Sequence, residues 1–296
     1  MTALKVDDRQ NLVIGGDQRV IVYSPSEKQA IASFTPHLDT YSRFALDWGK
    51  DCFLIGGWVS PLTCLSAQTG VVRWRVDDVY RMDELAIHPA ELVAIVSGVD
   101  TKPNRGVVVC DIQTGRFLNP GTPDRTIYRR LAHPSGSYEV DQYDEFEGET
   151  CLWGCRGRDG SFFEFWGPKV LHSYAFSPES LVMGGIDNSL TLVSFPSRTF
   201  KDVLQRSDSI AFGPMCYVEA NRSFRVVVRL DDVLESPVFE VATDGSATRQ
   251  LCSVAEDVIG VFFQNGKRIC SESGDIYDCE TGALLETLDF DKLLAS

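Results

Sequence analysis

Catalysis and metal binding need histidine, cysteine or carboxylate side chains held close together, and the sequence shows few of them at the spacings that such sites use. It contains four histidines. His88 and His133 each precede a proline at a corner that recurs along the chain, which favours a structural role. His37 and His172 have no second ligand beside them at metal-binding spacing. The histidines therefore predict no local site, while a site assembled from distant segments stays open.

The nine cysteines form an odd set in a chain whose start does not resemble an export signal, so we expect free thiols. Cys64, Cys110 and Cys279 alternate with apolar residues, as small buried side chains in strands do. Cys151 and Cys155, in CLWGC, are separated by three residues rather than the two that are typical of zinc and redox motifs. No metal site is predicted.

Nucleotide-binding and hydrolase motifs are also missing from the sequence. It has no Walker loop, no GxSxG elbow and no GxGxxG pattern, since GCRGRDG has a different glycine spacing. The sequence therefore predicts a protein that is not an enzyme, with no catalytic residues and no cofactor.

An acidic stretch, DQYDEFEGE from Asp141 to Glu149, places five acids in nine residues. It has three interpretations: a solvated loop, a docking patch for a basic protein, or, on weaker grounds because the EF-hand spacing is absent, a calcium loop. The docking hypothesis assigns the aromatic residues as anchors. Its candidate contact residues are Tyr143, Asp144, Glu145, Phe146 and Glu147.

Tyrosine, tryptophan and arginine, which are common at protein-interface hot spots, recur in the segments DVYRMDE, DRTIYRR and GGWVSP. We expect these segments on one face of the fold, which makes them a second candidate docking surface. The alternative is that the side chains pack between repeats or pair with nearby acids. The candidate residues are Trp58, Tyr80, Arg81, Tyr128, Arg129 and Arg130.

The elements that position these residues are repeats. LVIGGDQRVIVYSPS at Leu12 and LVMGGIDNSLTLVSFPS at Leu181 both read as two antiparallel strands joined at a glycine turn. Related copies begin at Phe53 and Ala94. Turns such as QTG and ETG, each followed by a short strand, complete four strands per repeat.

Each repeat also contains a tight corner before its glycine turn. Successive corners lie 36 to 51 residues apart, and a period near 40 to 45 residues with four strands is typical of a propeller blade. We take as equivalent Asp8, Trp48, Pro89, Pro134, Pro178, Pro214 and Asn265. The prediction is an all-β fold, a single seven-bladed β-propeller of four-stranded antiparallel blades.

The expected single domain covers residues 1–296, with blades at about 1–35, 42–76, 83–120, 126–168, 170–205, 209–252 and 257–290. The fourth and sixth blades fit the template least well. LKV near residue 4 is predicted to be an innermost strand and LLETLDF near residue 285 an outermost strand. First and last blades would then join through side-chain packing, without exchange of strands.

The segment AFSPESLVMGGIDNSLTLVSF resembles a blade of the WD-repeat propellers, and the QTG and ETG turns are similar to those of quinoprotein-type propellers. The resemblance implies the propeller architecture along the whole chain. The second resemblance would also imply a quinone-cofactor enzyme, but such enzymes are normally exported and the sequence shows no export signal.

Charge narrows the range of partners. The chain has 28 lysines and arginines against 42 aspartates and glutamates, a net charge of −14, with a pI near 4.7. Such a surface repels nucleic acid and anionic membranes and favours a basic protein, although acidity can serve solubility alone. With no signal peptide and no membrane-length apolar run, we expect a cytoplasmic protein that is a monomer by itself.

These observations predict a non-enzymatic interaction propeller that binds, and could neutralise, a basic partner protein, as an adaptor or a bacterial immunity-type inhibitor does. The alternative is a propeller hydrolase or lyase with a site at the axial channel. That alternative needs polar inner strands, whereas the segments read as inner strands, such as LKV, FAL, LAI, YAF and IAF, are mostly apolar.

Overall fold

The structure is a computed structural model. It describes residues 3–16, 18–36, 42–77, 79, 82–100, 105–118, 126–148, 150–185, 189–205, 209–230, 235–255 and 259–295. These residues form seven antiparallel sheets, each built from strands that follow one another along the chain.

The first four sheets contain β1 (Ala3–Val6), β2 (Leu12–Gly15), β3 (Val20–Ser24), β4 (Gln29–Phe34); β5 (Arg43–Asp47), β6 (Cys52–Gly56), β7 (Leu62–Leu65), β8 (Val72–Val76); β9 (Glu84–Ile87), β10 (Val93–Asp100), β11 (Arg105–Asp111); and β12 (Ile127–Ala132), β13 (Tyr138–Glu147), β14 (Thr150–Gly157), β15 (Phe162–Pro168).

The other three contain β16 (Leu171–Phe176), β17 (Ser180–Gly185), β18 (Ser189–Ser194), β19 (Thr199–Gln205); β20 (Ser209–Val218), β21 (Ser223–Leu230), β22 (Ser236–Ala242), β23 (Thr248–Val254); and β24 (Gly260–Phe263), β25 (Arg268–Ser271), β26 (Asp275–Asp278), β27 (Leu284–Thr287). A short helix, α1 (Phe290–Ala295), follows.

The fold is a seven-bladed β-propeller, and the prediction from the repeats is confirmed. LKV lies in β1, the first strand of its sheet, and LLET is β27, the last strand of its sheet, as predicted. The third blade shows three strands and a single bridge between Cys110 and Phe117 where the fourth strand was expected. Among the described residues, no sheet contains a strand from another repeat.

The predicted corner at Pro214 is wrong. Pro214 lies inside β20, and the chain turns later, at Glu219–Asn221, where Arg222 takes a φ of 50°. The pairing of β20 with β21 shifts between Phe212 and Met215, so a bulge accommodates the proline. Because the regular ladder of hydrogen bonds is interrupted at a bulge, the missing N–H of the proline costs no hydrogen bond there. The strand therefore continues through the Gly-Pro pair.

The described residues divide into two compact units: Met1–Asp144, Trp153–Phe162 and Phe290–Ser296 form the first, and Glu145–Leu152 and Phe163–Asp289 form the second. In each unit the middle strands of the blades are buried on both faces; every residue of β2, β3, β6 and β17 is buried. Strands covered on both faces are apolar without alternation, which explains the sequences LVIG and CFLIG.

The cores lie between successive blades. In the first unit, one cluster joins the first and second blades around Phe34, Phe44 and Phe53, and another joins the second and third blades around Leu54 and Met82. In the second unit, comparable clusters join the fifth blade to the sixth and the sixth to the seventh. One blade alone could not cover its own faces, so the blades depend on one another for burial.

In the first unit, corner residues also link neighbouring blades through polar contacts. Asp7 caps its own turn by accepting hydrogen bonds from the backbone N–H of Arg9 and Asn11, and its Oδ2 accepts one from Trp48 Nε1 in the next corner at 2.7 Å. Lys50 Nζ in turn donates to the carbonyl oxygen of His88, in the third corner, at 2.6 Å.

In the second unit, Arg225 of β21 joins the sixth and seventh blades. The side chain is buried; Nη1 donates to the carbonyl oxygen of Gly266 at 2.9 Å, and Nη2 pairs with Glu280. Ser180 Oγ plays a smaller part between the fifth and sixth blades, donating to the carbonyl oxygen of Thr243 at 3.2 Å. The repeated corner position thus links blades in both units, but with different side chains.

Helix α1 packs on the first sheet, within the first unit. Leu294 lies against Gly16 so closely that a Cβ at Gly16 would be 2.7 Å from Leu294 Cδ1. Arg19 Nη1 donates to the Leu294 carbonyl oxygen at 3.2 Å, and Phe290 is buried. The absence of a side chain at Gly16 thus gives Leu294 its place against the first sheet.

The turns before the fourth strands are built around an aspartate. Asp111 Oδ1 accepts hydrogen bonds from the N–H of Gln113 and from both the N–H and the hydroxyl of Thr114, and Asp278 makes the same set of contacts with Glu280 and Thr281. The glycine that follows has a positive φ, 70° at Gly115 and 73° at Gly282. The sequence pattern D-x-x-T-G thus specifies the turn.

We predict that Asp7→Ala lowers the free energy of unfolding by about 2–4 kcal/mol, because each buried donor left without an acceptor costs ~1–3 kcal/mol. Urea unfolding measures the change. Asp77→Ala is the control: it removes the same charge from a side chain that is 72% exposed and should change the free energy by less than ~1 kcal/mol. Equal effects of the two substitutions would contradict the role of Asp7.

A second prediction concerns pH. Hydrogen bonds hold the pKa of Asp111 below its usual value. The one from the Thr114 hydroxyl has the largest effect, and those from the backbone N–H groups add to it. Such a carboxylate stabilises the fold above its unfolded-state pKa of ~3.9, and the contribution is lost as the pH falls through the lower folded-state pKa. Thr114→Val should raise the pKa of Asp111 in an NMR titration. Gln113→Ala, which keeps the backbone donor, should leave it unchanged.

Candidate functional site

The sheet registers place the predicted docking segments at one end of their sheets. Arg43, at the start of β5, pairs with Gly56 at the end of β6; Glu84 pairs with Ser97 and Ile127 with Tyr143 in the next two blades. We call this the hairpin end: first strands begin there, and second strands turn into third strands there. The opposite end carries the corners.

Trp58 lies at the tip of the β6–β7 hairpin and is 50% exposed, next to Val59 at 80%. The hairpin is held by Met82, since a Cβ on Gly56 would be 2.3 Å from Met82 Sδ. The Leu62 N–H also donates to the Val79 carbonyl oxygen at 3.3 Å. Two large apolar side chains therefore project from a hairpin whose base is fixed. Tyr80 and Arg81 lie outside the described residues.

Tyr128 is 42% exposed at the start of β12, and its hydroxyl donates to Asp83 Oδ2 at 2.6 Å. Asp83 precedes β9, directly after Met82, and its carbonyl oxygen accepts a hydrogen bond from Arg43 Nε at 2.9 Å. Asp83 therefore connects the first strands of the second, third and fourth blades. Gly56, below the Trp58 tip, and the Tyr128 hydroxyl thus both contact the segment Met82–Asp83.

Arg129 and Arg130 pair with acids, one of the two interpretations that the sequence left open. Arg129 Nε lies 3.4 Å from Glu84 Oε2. Arg130 forms a bidentate pair with Asp141: Nε and Nη2 donate to the two carboxylate oxygens at 2.7 and 2.9 Å. Asp141 is 1% exposed. Arg130 is part of the interior of the first unit, which leaves it little surface for a partner.

The first strand of the fourth blade, IYRRLA, differs from the apolar first strands used to argue against an enzyme. Sequence reasoning missed its counterparts Arg43, Asp83 and Glu84. The signal was present: SRF and MDE stand just before the apolar triplets of the second and third blades, in register with IYRR. Together these residues form a band of alternating charge at the hairpin end of the first unit.

The acidic stretch is not a loop, contrary to its first interpretation. Asp141–Glu147 belongs to β13, which continues past the start of β12, where the Asp144 N–H donates to the Thr126 carbonyl oxygen at 3.2 Å. Tyr143 is 5% exposed and packs against Gly154, so it supports the strand from inside. The chain reverses at Gly148, with a φ of 60°.

The outer part of this hairpin keeps the predicted exposed character. Asp144, Glu145 and Glu147 are exposed, and Phe146 is 51% exposed. Within the second unit, Lys169 Nζ lies 5.0 Å from the centre of the Phe146 ring, a cation–π contact. The hairpin thus already binds one cationic group of the chain itself.

The remaining candidates for chemistry have structural surroundings. Cys151 and Cys155 are both buried in β14; Cys151 Sγ donates to the Pro168 carbonyl oxygen at 3.3 Å, and burial raises the pKa of Cys155 to about 12. His88 Nδ1 accepts the N–H of Glu91 at 3.0 Å, and burial lowers the pKa of His88. His133 Nδ1 lies 2.7 Å from Ser135 Oγ.

The described part of the chain has neither a metal-ligand cluster nor a membrane-length helix. No cluster of three or more histidine, cysteine or carboxylate side chains there is arranged to hold a metal ion. None of its helices has the length and apolar character that crossing a membrane requires.

No protein-family model matches the chain, and no curated protein is similar to it in sequence. Solved structures are similar in fold. The chain is 11% identical to a functionally unknown protein from Desulfotomaculum acetoxidans, with a TM-score of 0.69 over 94% of this chain and 95% of that one. For U3-55K the values are 12% identity and a TM-score of 0.64, over 91% and 87%.

The β-propeller domain of Cps50 (Swd1) from Myceliophteria thermophila is also similar, with 11% identity and a TM-score of 0.57 over 84% of this chain and 85% of that one. The fold is that of the WD40-like propellers. At these identities the similarity establishes the architecture and does not extend to binding residues.

We predict that Asp141→Ala destabilises the protein by about 3–5 kcal/mol, because it leaves the Arg130 guanidinium buried without its main acid. Asp77→Ala is the matched control: Asp77 pairs with Arg75 on the surface, where both side chains are more than half exposed, and should cost less than ~1 kcal/mol. Thermal unfolding compares the two. Similar losses for both variants would refute the burial argument.

Proposed function

We propose that the protein is a non-enzymatic interaction module that binds another protein at the hairpin end of its first unit. The observation that carries the proposal is the exposure of Trp58 and Val59 on a hairpin whose base is fixed by Met82. Ordering a flexible loop on binding costs entropy, whereas a preformed aromatic anchor does not incur that cost. Tyr128, tied to Asp83, is a second preformed anchor.

Propellers serve widely as interaction scaffolds, and this chain provides the elements that such an interface needs. Tryptophan and tyrosine supply most of the energy at interface hot spots, and charged residues at the rim steer the approach. Here the rim would be the band of Arg43, Asp83, Glu84 and Arg129, in which Glu84 already pairs with Arg129 and Arg43 donates to the Asp83 backbone carbonyl. The apolar anchors are thus surrounded by a polar rim that is largely satisfied before binding.

We further propose that the partner is basic. The net charge of −14 favours association with a cationic protein, and the fourth-blade hairpin adds Asp144, Glu145 and Glu147 around an exposed Phe146. Lys169 makes a cation–π contact with Phe146, and a lysine or arginine of the partner would contact that ring in the same way. An adaptor and an immunity-type inhibitor that neutralises a basic toxin both fit this proposal, in the cytoplasm.

A second candidate, a hydrolase or lyase with its site on the first strands, has one observation in its favour: β12 carries Tyr128, Arg129 and Arg130. A phenol beside a carboxylate and an arginine can transfer protons and hold an anion. The contacts of these side chains favour a structural use, since Arg130 and Asp141 satisfy each other in the interior. The interaction module is therefore the preferred proposal.

The test is affinity purification of the tagged protein from its native cells, elution over a salt gradient, and binding measurements with the recovered partner. Trp58→Ala should weaken binding at least about tenfold, the loss typical of a hot-spot tryptophan. Phe162→Ala is the matched control, since Phe162 is 46% exposed at the start of β15, at the corner end of its sheet. Equal losses in both variants would reject the hairpin end as the docking surface.

The charge of the partner is tested separately. Glu145→Lys with Glu147→Lys should weaken binding and reduce its dependence on salt, because long-range attraction between unlike charges is screened by ions. The control, Glu27→Lys with Glu179→Lys, makes the same charge change at exposed turns of the corner end. If both double variants lose affinity equally, net charge matters and the hairpin does not. Turnover of a substrate without a protein partner would favour the enzyme.

A further inference from the structure

Two cysteines of the β6–β7 strand pair, which carries the Trp58 hairpin, lie in contact. Cys52 begins β6, Cys64 lies in β7, and their Sγ atoms are 3.5 Å apart. Leu54 pairs with Cys64, so Cys52 is two residues along on the same face, diagonally across the strand pair. Both side chains are fully buried in the core between the second and third blades.

This separation is close to what a disulfide requires. An S–S bond measures ~2.05 Å, so the sulfurs must approach by about 1.5 Å, which side-chain rotations and a small shift of adjacent strands can supply. The chain between the two cysteines is the hairpin itself, so its reversal already brings the strands together. Bond formation needs no rearrangement between blades.

The two thiols differ in acidity. The hydrogen bond between the two sulfurs lowers the pKa of Cys64, and Arg73 adds to this against the opposing effect of burial. The same hydrogen bond raises the pKa of Cys52. Cys64 is therefore the more acidic thiol of the pair.

We propose that Cys52 and Cys64 form a peroxide-responsive pair that closes into an intrachain disulfide. The Cys64 thiolate attacks one oxygen of hydrogen peroxide, the O–O bond breaks, and hydroxide leaves and takes up a proton to become water. The Cys52 sulfur then attacks the Cys64 sulfenic acid, the S–O bond breaks, and the Cys52 proton leaves with the oxygen as a second molecule of water. Two thiols are oxidised and one peroxide is reduced to two waters.

Peroxide is the oxidant that suits this site because it is uncharged and not much larger than water. Glutathione disulfide could reach the sulfurs only if the hairpin opened, since both side chains have no exposed surface. The reaction with peroxide should be slower than that of an exposed thiolate of the same pKa, since entry into the core precedes it. The disulfide would restrain the base of the hairpin and raise the midpoint of thermal unfolding.

Cys110 is an internal control. It belongs to the same core cluster and is equally buried, but burial raises its pKa to about 12, and no sulfur contact of Cys110 is found among the described residues. A reagent that oxidised buried thiols without selectivity would modify Cys110 together with Cys52 and Cys64. The proposal requires that Cys110 stays a thiol.

The experiment treats the folded full chain with hydrogen peroxide, blocks the remaining thiols with an alkylating agent, and analyses a tryptic digest. No lysine or arginine lies between Asp51 and Val72, so Cys52 and Cys64 fall on one peptide, Asp51–Arg73, while Cys110 falls on Gly106–Arg116. We expect the first peptide to lose two hydrogen atoms and both alkylation sites, and the second to be fully alkylated. A dithiol reductant should restore both sites.

Single variants assign the roles. Cys52→Ser should leave Cys64 as a sulfenic acid that a dimedone-type probe captures, whereas Cys64→Ser should leave Cys52 unreactive toward the probe. The proposal is overturned if Asp51–Arg73 of the wild-type protein stays fully alkylated after free methionine added to the same solution is oxidised, or if Cys110 reacts as fast as the pair. These outcomes use the wild-type chain and do not depend on how the variants fold, nor on the proposed partner.

Discussion

The structure depends on covering both faces of every blade. The middle strands, such as β2, β3 and β6, have no exposed residues, and within the first unit neighbouring blades share clusters such as Phe34, Phe44 and Phe53. Burial on both faces removes the polar alternation of an ordinary surface sheet. It also confines polar chemistry to the two ends of the sheets and to their outer strands, and the candidate surface lies at one of these ends.

The two polar ends of the sheets differ in their contacts. At the corner end, Asp7, Lys50 and Arg225 connect neighbouring blades, and each satisfies backbone groups that packing alone would leave without a partner. At the hairpin end, the first unit combines paired charges with exposed apolar tips. The corner end thus has mainly a structural role, and the proposed docking surface lies at the hairpin end.

Local patterns predicted what depends on local physics. Glycine turns, D-x-x-T-G turns and the corner period specify backbone conformations within a few residues, so strand order and blade number followed from them. The Pro214 corner failed because a bulge can absorb a Gly-Pro pair inside a strand. The pairing of Arg130 with Asp141 could not be predicted from the sequence, because strand register and not sequence spacing brings the two residues together. The acidic stretch was interpreted as a loop, whereas its first half faces the core.

The docking of α1 has a consequence for synthesis of the chain. Arg19 and Leu294 are 275 residues apart, and the first unit includes Phe290–Ser296. All of the second unit therefore leaves the ribosome before the helix that covers Gly16 is made. The glycine turn of the first blade stays uncovered until the helix has been synthesised, while contacts among the first blades can form early. Completion of the first unit thus follows synthesis of the whole second unit.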